Sequence, residues 1–227
     1  MLFLFLYRRN ILNMYNKSHM KKYSLYIFDM DLTTIDSVES SKQSYAYAFK
    51  SLGLLFDESK VYYYLNQNLE ETYKEVEHLA PGKGMDFFDA FVENSGKTFH
   101  KVADFYPECE EVFRTLYEQG AKIAIVTNRN AHDIQLMLDE HKNVSKYISY
   151  FVGSDMVKNL KPDPEGINMC MKKFGVSKEK SIYVGDSRCD YLASIAAGID
   201  FAYINRYDNH AADEVESFLS LYPLINK

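Results

Sequence analysis

The sequence predicts an α/β fold: a doubly wound, Rossmann-like parallel sheet with a helical segment inserted after its first strand. Two patterns predict it. From Ser24 onward, short apolar runs alternate with stretches of helical periodicity, the signature of strands joined by crossover helices. The segment from Ser37 to about Asp104 breaks that rhythm, with no good buried strand and an abundance of helix formers and tyrosine.

The elements follow in chain order. Leu2 to Tyr7 is apolar and Arg8-Arg9 follows it. This run is far shorter than the ~20 residues that span a bilayer. A secretory leader would carry its positive charge ahead of the apolar run, not after it. Residues 1–20 are therefore read as an extension outside the fold, with Met20 as the expected start and a peripheral membrane anchor as the alternative. Buried strands are expected at Ser24–Phe28, Lys122–Thr127 and Ser181–Gly185, and weaker ones at Tyr150–Gly153 and Phe201–Asn205. Glu108–Gln119 carries Val112, Phe113, Leu116 and Tyr117 on one helical stripe, and Gly120 suits its stop. Asp163-Pro164 reads as an N-cap with proline at the first helical position. A helix opening near Asp190 runs through Leu192, Ala193 and Ala196 to Gly198. Pro81 to Gly84 reads as a loop within the insertion. The expected division is 21–36 with 105–227 as the core and 37–104 as the inserted helical unit.

Composition narrows the function classes. Of the 227 residues 47% are hydrophobic and 26% charged, enough apolar surface for a packed core and too much for wholesale disorder. The net charge of −6 gives no electrostatic reason to bind nucleic acid or an anionic membrane. An anionic ligand must then be held by local cations. Cys109, Cys170 and Cys189 show no metal-ligand spacing, which fits reduced thiols in a cytoplasmic protein.

In open α/β sheets ligands bind outside the carboxyl ends of the strands. Asp29 and Asp31 follow the first expected strand, and Thr127-Asn128 close the second. Lys161-Pro162 precedes the proline-started helix, and Asp186 to Asp190 follow the strand ending at Gly185. Together they supply carboxylates for a metal, and a hydroxyl and a lysine for an anion.

These residues resemble the haloacid dehalogenase superfamily, in its phosphoglycolate-phosphatase-like branch. Its Asp-x-Asp-x-Thr motif is similar to Asp29, Asp31 and Thr33, with Asp36-Ser37 continuing it. Its strand-end Thr or Ser matches Thr127, its Lys-Pro-x-Pro form matches Lys161 to Pro164, and its Gly-Asp-x-x-x-Asp matches Gly185, Asp186 and Asp190. Each motif alone is weak; four in order, each at its required structural place, make coincidence improbable.

The resemblance implies a phosphatase acting on a small phosphorylated metabolite, phosphoglycolate being the branch's namesake, beneath a helical C1 cap formed by the insertion. It implies Asp29 as nucleophile and Asp31 as general acid and base. Thr127, with Asn128 beside it, and Lys161 are expected at the phosphoryl oxygens. The implied cofactor is Mg²⁺, placed by Asp29, the Asp31 main-chain carbonyl and Asp186, with Asp190 acting through a water or by orienting its neighbours. Leu32 stands where the branch usually has glycine, which matters if the turn needs positive φ; the turn is expected to survive. Arg129 has a place from which to touch the substrate but is read as a surface residue; the tyrosines at 62–64 could line a pocket but are read as packing and cap surface; Lys83 could reach a substrate carboxylate but is read as solvated. The rival readings are a sugar phosphomutase of the same superfamily and a non-catalytic regulatory protein on the same scaffold.

Overall fold

The computed structural model describes residues 21–65, 69–207, 215 and 217–225, so the expectations for residues 1–20 lie outside the described residues. Its first strand, β1 (Leu25–Phe28), leads into a two-residue strand β2 (Ile35–Asp36). Four helices follow: α1 (Val38–Ser51), α2 (Val61–Leu65), α3 (Leu69–Leu79) and α4 (Gly84–Val102). The chain returns through β3 (Asp104–Phe105), α5 (Cys109–Glu118), β4 (Lys122–Val126), α6 (Ala131–Glu140), α7 (Lys142–Ser145) and β5 (Tyr150–Val152). It ends with α8 (Glu165–Phe174), β6 (Ser181–Gly185), α9 (Arg188–Ala197), β7 (Asp200–Ile204) and β8 (Ser217–Phe218).

The main sheet has the order β5-β4-β1-β6-β7-β8, and every pair in it is parallel. Because parallel strands need crossovers, helices cover both faces and the inner strands are apolar on both sides. Tyr26, Phe28, Ile123, Ile125, Ile182 and Val184 face one core with α5 and α6. Leu25, Ile27, Ala124, Val126 and Tyr183 face the other with α8 and α9. The strand order reverses at β1, whose neighbours are β4 and β6. A crevice opens at the carboxyl end of such a strand, and Asp29 stands there.

The inserted helices hold a core of their own, built from Tyr45, Ala48, Phe49, Tyr64, Val76 and Phe87. β2 and β3 form a two-stranded antiparallel ribbon at its base, pairing Asp36 with Asp104. That ribbon was not legible beforehand, because two residues carry no periodicity. Three boundaries also differ from expectation. Gly84 already begins α4 rather than ending a loop. Pro164 is the N-cap of α8, and the Asp163 carboxylate accepts from the Glu165 N–H at 2.9 Å, so the cap sits one residue later. Tyr117 is exposed, since the α5 stripe that meets the core ends at Leu116.

Candidate active site

Directly after β1 the chain must turn sharply to leave the sheet. Thr34 and Ile35 both donate to the Met30 carbonyl, at 3.0 and 2.9 Å, and Leu32 donates to the Ile35 carbonyl at 2.8 Å. Leu32 adopts φ 57°, so the turn does use the left-handed region where glycine is usual. Its side chain is buried.

This turn presents Asp29 to two carboxylates from the other side of the switch point. One ligand oxygen each from Asp29, Asp186 and Asp190 lie within 4.8 Å of one another, and all three residues are buried. Asp186 follows β6; the Thr33 hydroxyl donates to its Oδ1 at 2.8 Å and so ties the two loops together. Asp190 is held by the start of α9, where Ser187 is the N-cap and forms a capping box with it.

Lys161 enters from the loop before α8. Its Nζ donates to Asp29 Oδ1 at 2.5 Å, to Asp190 Oδ1 at 2.6 Å and to the Tyr183 hydroxyl at 3.1 Å. All three ammonium hydrogens thus have acceptors. Tyr183 in turn donates to the Val126 carbonyl at 2.8 Å, anchoring this tripod to the sheet. Asp190 Oδ1 accepts from Lys161 and its Oδ2 accepts from the Ser187 main chain at 3.0 Å, so both oxygens already serve protein donors.

Asn128, expected beside the phosphoryl group, clamps the Lys161 main chain. Its Oδ1 accepts from the Lys161 N–H at 3.2 Å and its Nδ2 donates to the Lys161 carbonyl at 3.5 Å. Thr127 is buried at the end of β4, next to β1, and its Oγ1 accepts from the Arg129 N–H at 3.3 Å.

Arg129 is not a surface residue. Its Nε donates to Asp31 Oδ2 at 2.7 Å and its NH2 to Asp31 Oδ1 at 2.8 Å, a two-pronged pair. NH1 donates to Ser95 Oγ at 3.1 Å, and Cζ lies 3.4 Å from the Phe99 ring centroid, so α4 supports the guanidinium. Its place just past a strand end was the available signal; nothing in the sequence announced a partner 98 residues away. Among the tyrosines at 62–64, Tyr64 is buried and lines the site while Tyr62 and Tyr63 are exposed. Lys83 is solvent-facing and pairs with Asp86.

The electrostatics are those of an anionic cluster short of positive charge. Burial pushes the Asp29 carboxyl up to about 7, with the Asp190 and Asp31 charges adding to it and Lys161 opposing. Burial and the charges of Asp190 and Asp29 raise Asp186 well above the ordinary carboxylate value. For Asp31 burial acts upward too, but the Arg129 charge and hydrogen bonds outweigh it and hold the carboxyl below its usual value. Fully ionised, the four carboxyls against Lys161 and Arg129 would leave two negative charges in a buried site, an excess that the raised Asp29 and Asp186 relieve by binding protons. An all-oxygen donor set with that charge suits a hard divalent cation such as Mg²⁺.

A cavity of about 210 Å³ opens above this cluster, lined by Asp29, Asp31, Arg129 and Asp186 from the sheet side and by Tyr45 and Phe91 from the inserted helices. Among the described residues no helix is long and apolar enough to cross a membrane.

The chain is similar to known proteins in sequence and fold. The chain is 29% identical over 191 residues to the phosphoglycolate phosphatase of Vibrio cholerae, covering 79% of this chain and 83% of that protein. It is 30% identical over 187 residues to the one from Vibrio parahaemolyticus, covering 77% and 80%. Against the Pseudomonas fluorescens phosphoglycolate phosphatase it is 32% identical over 135 residues, 60% of this chain but 48% of that protein, so the match spans about half that relative's length. Among solved structures, CbbY from Rhodobacter sphaeroides in complex with phosphate superimposes with a TM-score of 0.73 at 18% identity, covering 89% of this chain and 96% of that one. A Thermotoga maritima protein assigned as a beta-phosphoglucomutase gives a TM-score of 0.68 at 20% identity, covering 89% and 97%. At such identities the structures establish a shared fold. The profile of haloacid dehalogenase-like hydrolases matches residues 26–204, the span that carries every one of these strand-end residues, and the chain belongs to that family.

Proposed function

We propose that this protein is a Mg²⁺-dependent phosphatase that hydrolyses a small phosphorylated metabolite through an aspartyl-phosphate on Asp29, with phosphoglycolate as the leading substrate. The observation that carries it is the buried Lys161 ammonium seated between Asp29 and Asp190, with Asp186 beside them. A lysine so placed holds the nucleophile and offers positive charge where an incoming phosphoryl group must meet an anion.

The carboxylates of Asp29 and Asp186 and the Asp31 main-chain carbonyl would hold the metal. Bound there, Mg²⁺ would neutralise the carboxylates and the substrate's phosphoryl oxygens. Asp29 attacks phosphorus through a carboxylate oxygen, forming a P–O bond as the ester P–O bond breaks. Asp31, once clear of Arg129 and protonated beside the incoming phosphate dianion, gives that proton to the departing alkoxide. In the second half it takes a proton from the water that attacks phosphorus and releases Asp29. Thr127 and Lys161 bind the phosphoryl oxygens. Asp190, with both oxygens engaged, orients Lys161 rather than touching the substrate. Tyr45, Tyr64 and Phe91 place the inserted helices over the cavity as a cap that excludes water.

The phosphoglycolate reading rests on the names of the Vibrio relatives, and the cytoplasmic reading on Cys109, Cys170 and Cys189 standing outside any disulfide. The likeness to the Thermotoga protein favours a second reading, transfer to a sugar phosphate; conversion of a hexose 1-phosphate to the 6-phosphate without phosphate release would establish it.

The test is phosphate release from a panel of phosphomonoesters with and without Mg²⁺. Asp29→Asn is expected to lower turnover by at least about 10³-fold while leaving the circular dichroism spectrum unchanged. Activity near wild type in that variant would remove Asp29 from the mechanism.

A further inference from the structure

We infer that Arg129 is the specificity residue of this site: it receives a carboxylate on the substrate, in exchange for Asp31, and so selects phosphomonoesters that bear a carboxylate near the phosphate. The inference rests on the phosphatase reading and sharpens its substrate class.

Three observations lead there. First, among the described residues lining the 210 Å³ cavity, Arg129 is the single cation, facing Asp29, Asp31 and Asp186. A second anionic group on a substrate that enters this cavity finds carboxylates, hydroxyls and apolar side chains there, and positive charge at Arg129 alone among the described lining residues. Second, the guanidinium already displays how it binds a carboxylate, edge to edge with Nε and NH2 on the two oxygens of Asp31, at 2.7 and 2.8 Å. This planar fork fits a planar carboxylate. Third, the guanidinium is fixed independently of Asp31. The inserted helix α4 supplies Ser95 Oγ to NH1 at 3.1 Å and the Phe99 ring beneath Cζ at 3.4 Å. The fork therefore stays in place when its partner leaves.

The exchange conserves pairing. One Arg–carboxylate contact is lost and an equivalent one forms, so the cost is limited to exposing the Asp31 carboxylate to the cavity. That is the place from which it serves the leaving oxygen. A substrate without the carboxylate must break the Arg129–Asp31 pair uncompensated or react with Asp31 still held. Occupation of Arg129 and release of Asp31 thus become one event.

The experiment uses the full chain with Mg²⁺ and two measurements. In turnover, wild type is expected to favour 2-phosphoglycolate over ethyl phosphate by about 100-fold or more in kcat/KM, and Arg129→Met to shrink that preference to below about 5-fold. In equilibrium binding by calorimetry, wild type is expected to hold 3-phosphonopropionate about 10-fold or more tighter than propylphosphonate, and Arg129→Met to erase the difference. Arg129→Lys is expected to retain part of both preferences, since it keeps the charge and loses the fork. Equal losses on both substrates in Arg129→Met, or no carboxylate preference in wild type in either measurement, overturn the inference. Absence of turnover with both esters would sink the phosphatase reading alone, because the binding comparison decides the role of Arg129 without chemistry.

Discussion

Asp29 and Asp186 face one difficulty: each is buried beside another carboxylate, and a proton is the cheapest relief in the metal-free protein. Both carboxyls are raised, Asp29 to about 7, by burial first and then by their neighbours. Between the ordinary value of 3.8 and about 7 the folded chain therefore binds more protons than the unfolded one, and stability falls as pH rises through that window. Mg²⁺ competes with those protons. Thermal melts are expected to show a larger Mg²⁺-induced rise in Tm at about pH 8 than at about pH 5, and metal-free protein less stable at the higher pH. A Mg²⁺ effect independent of pH would show that these carboxyls are not the ligands. Leu32 presents a different residue-scale conflict. A left-handed φ costs an L-residue about 1–2 kcal/mol, and the chain carries it at 57° with the side chain buried.

The joint between β6 and α9 carries the most chemistry per residue among the elements. Gly185 ends the strand where Asp190, one helical turn into α9, packs against the backbone. A Cβ built on Gly185 would lie 2.5 Å from Asp190 Cβ and 2.6 Å from its Cγ. Asp190 cannot retreat without releasing Lys161 and the Ser187 cap. Gly185→Ala is thus expected to cost about 1–3 kcal/mol in urea unfolding, as overpacking does, and to reduce turnover by displacing Lys161. Unchanged stability and unchanged turnover would mean that the close approach is not needed. The glycine of the Gly-Asp pair serves packing here, since it is absent from the positive-φ positions.

Across the whole molecule, a buried ion pair joins segments that are distant in sequence. Arg206 donates through NH2 to Glu108 Oε1 at 2.6 Å and to the Thr33 carbonyl at 3.1 Å, and through NH1 to the Leu219 carbonyl at 3.4 Å. It holds the chain's last segment, the start of α5 and the turn after β1 in one place, and Thr33 passes that constraint to Asp186. Removing one partner strands the other's charge. Arg206→Met is expected to destabilise by about 3–5 kcal/mol, and adding Glu108→Gln to recover part of the loss. Equal stability of the single and double variants in urea titrations would show that the charge on Glu108 is not the issue.

The local sequence marks five of the six strands of the sheet, missing the two-residue β8, and the identity of the chemistry-bearing side chains. Their signals are local. Ile-Ala-Ile-Val at 123–126 is buried on both sheet faces, Asp29, Thr127 and Asp186 stand where short apolar runs end, and Lys161 opens the Lys-Pro-x-Pro segment. Tertiary structure alone decided what those side chains do to one another. Asp31 and Arg129 are 98 residues apart, Lys161 and Asp29 132, and Thr33 and Asp186 153. No periodicity reaches over such distances. Arg129 reads as a surface residue along the chain, and nothing local marks Tyr183 as a partner of Lys161. The reversal of strand order at β1 brings four loops to one point, those after β1, β4 and β6 and the one before α8. There the long-range Coulomb and hydrogen-bond terms, invisible along the chain, outweigh the local ones and give Arg129 to Asp31 and Tyr183 to Lys161.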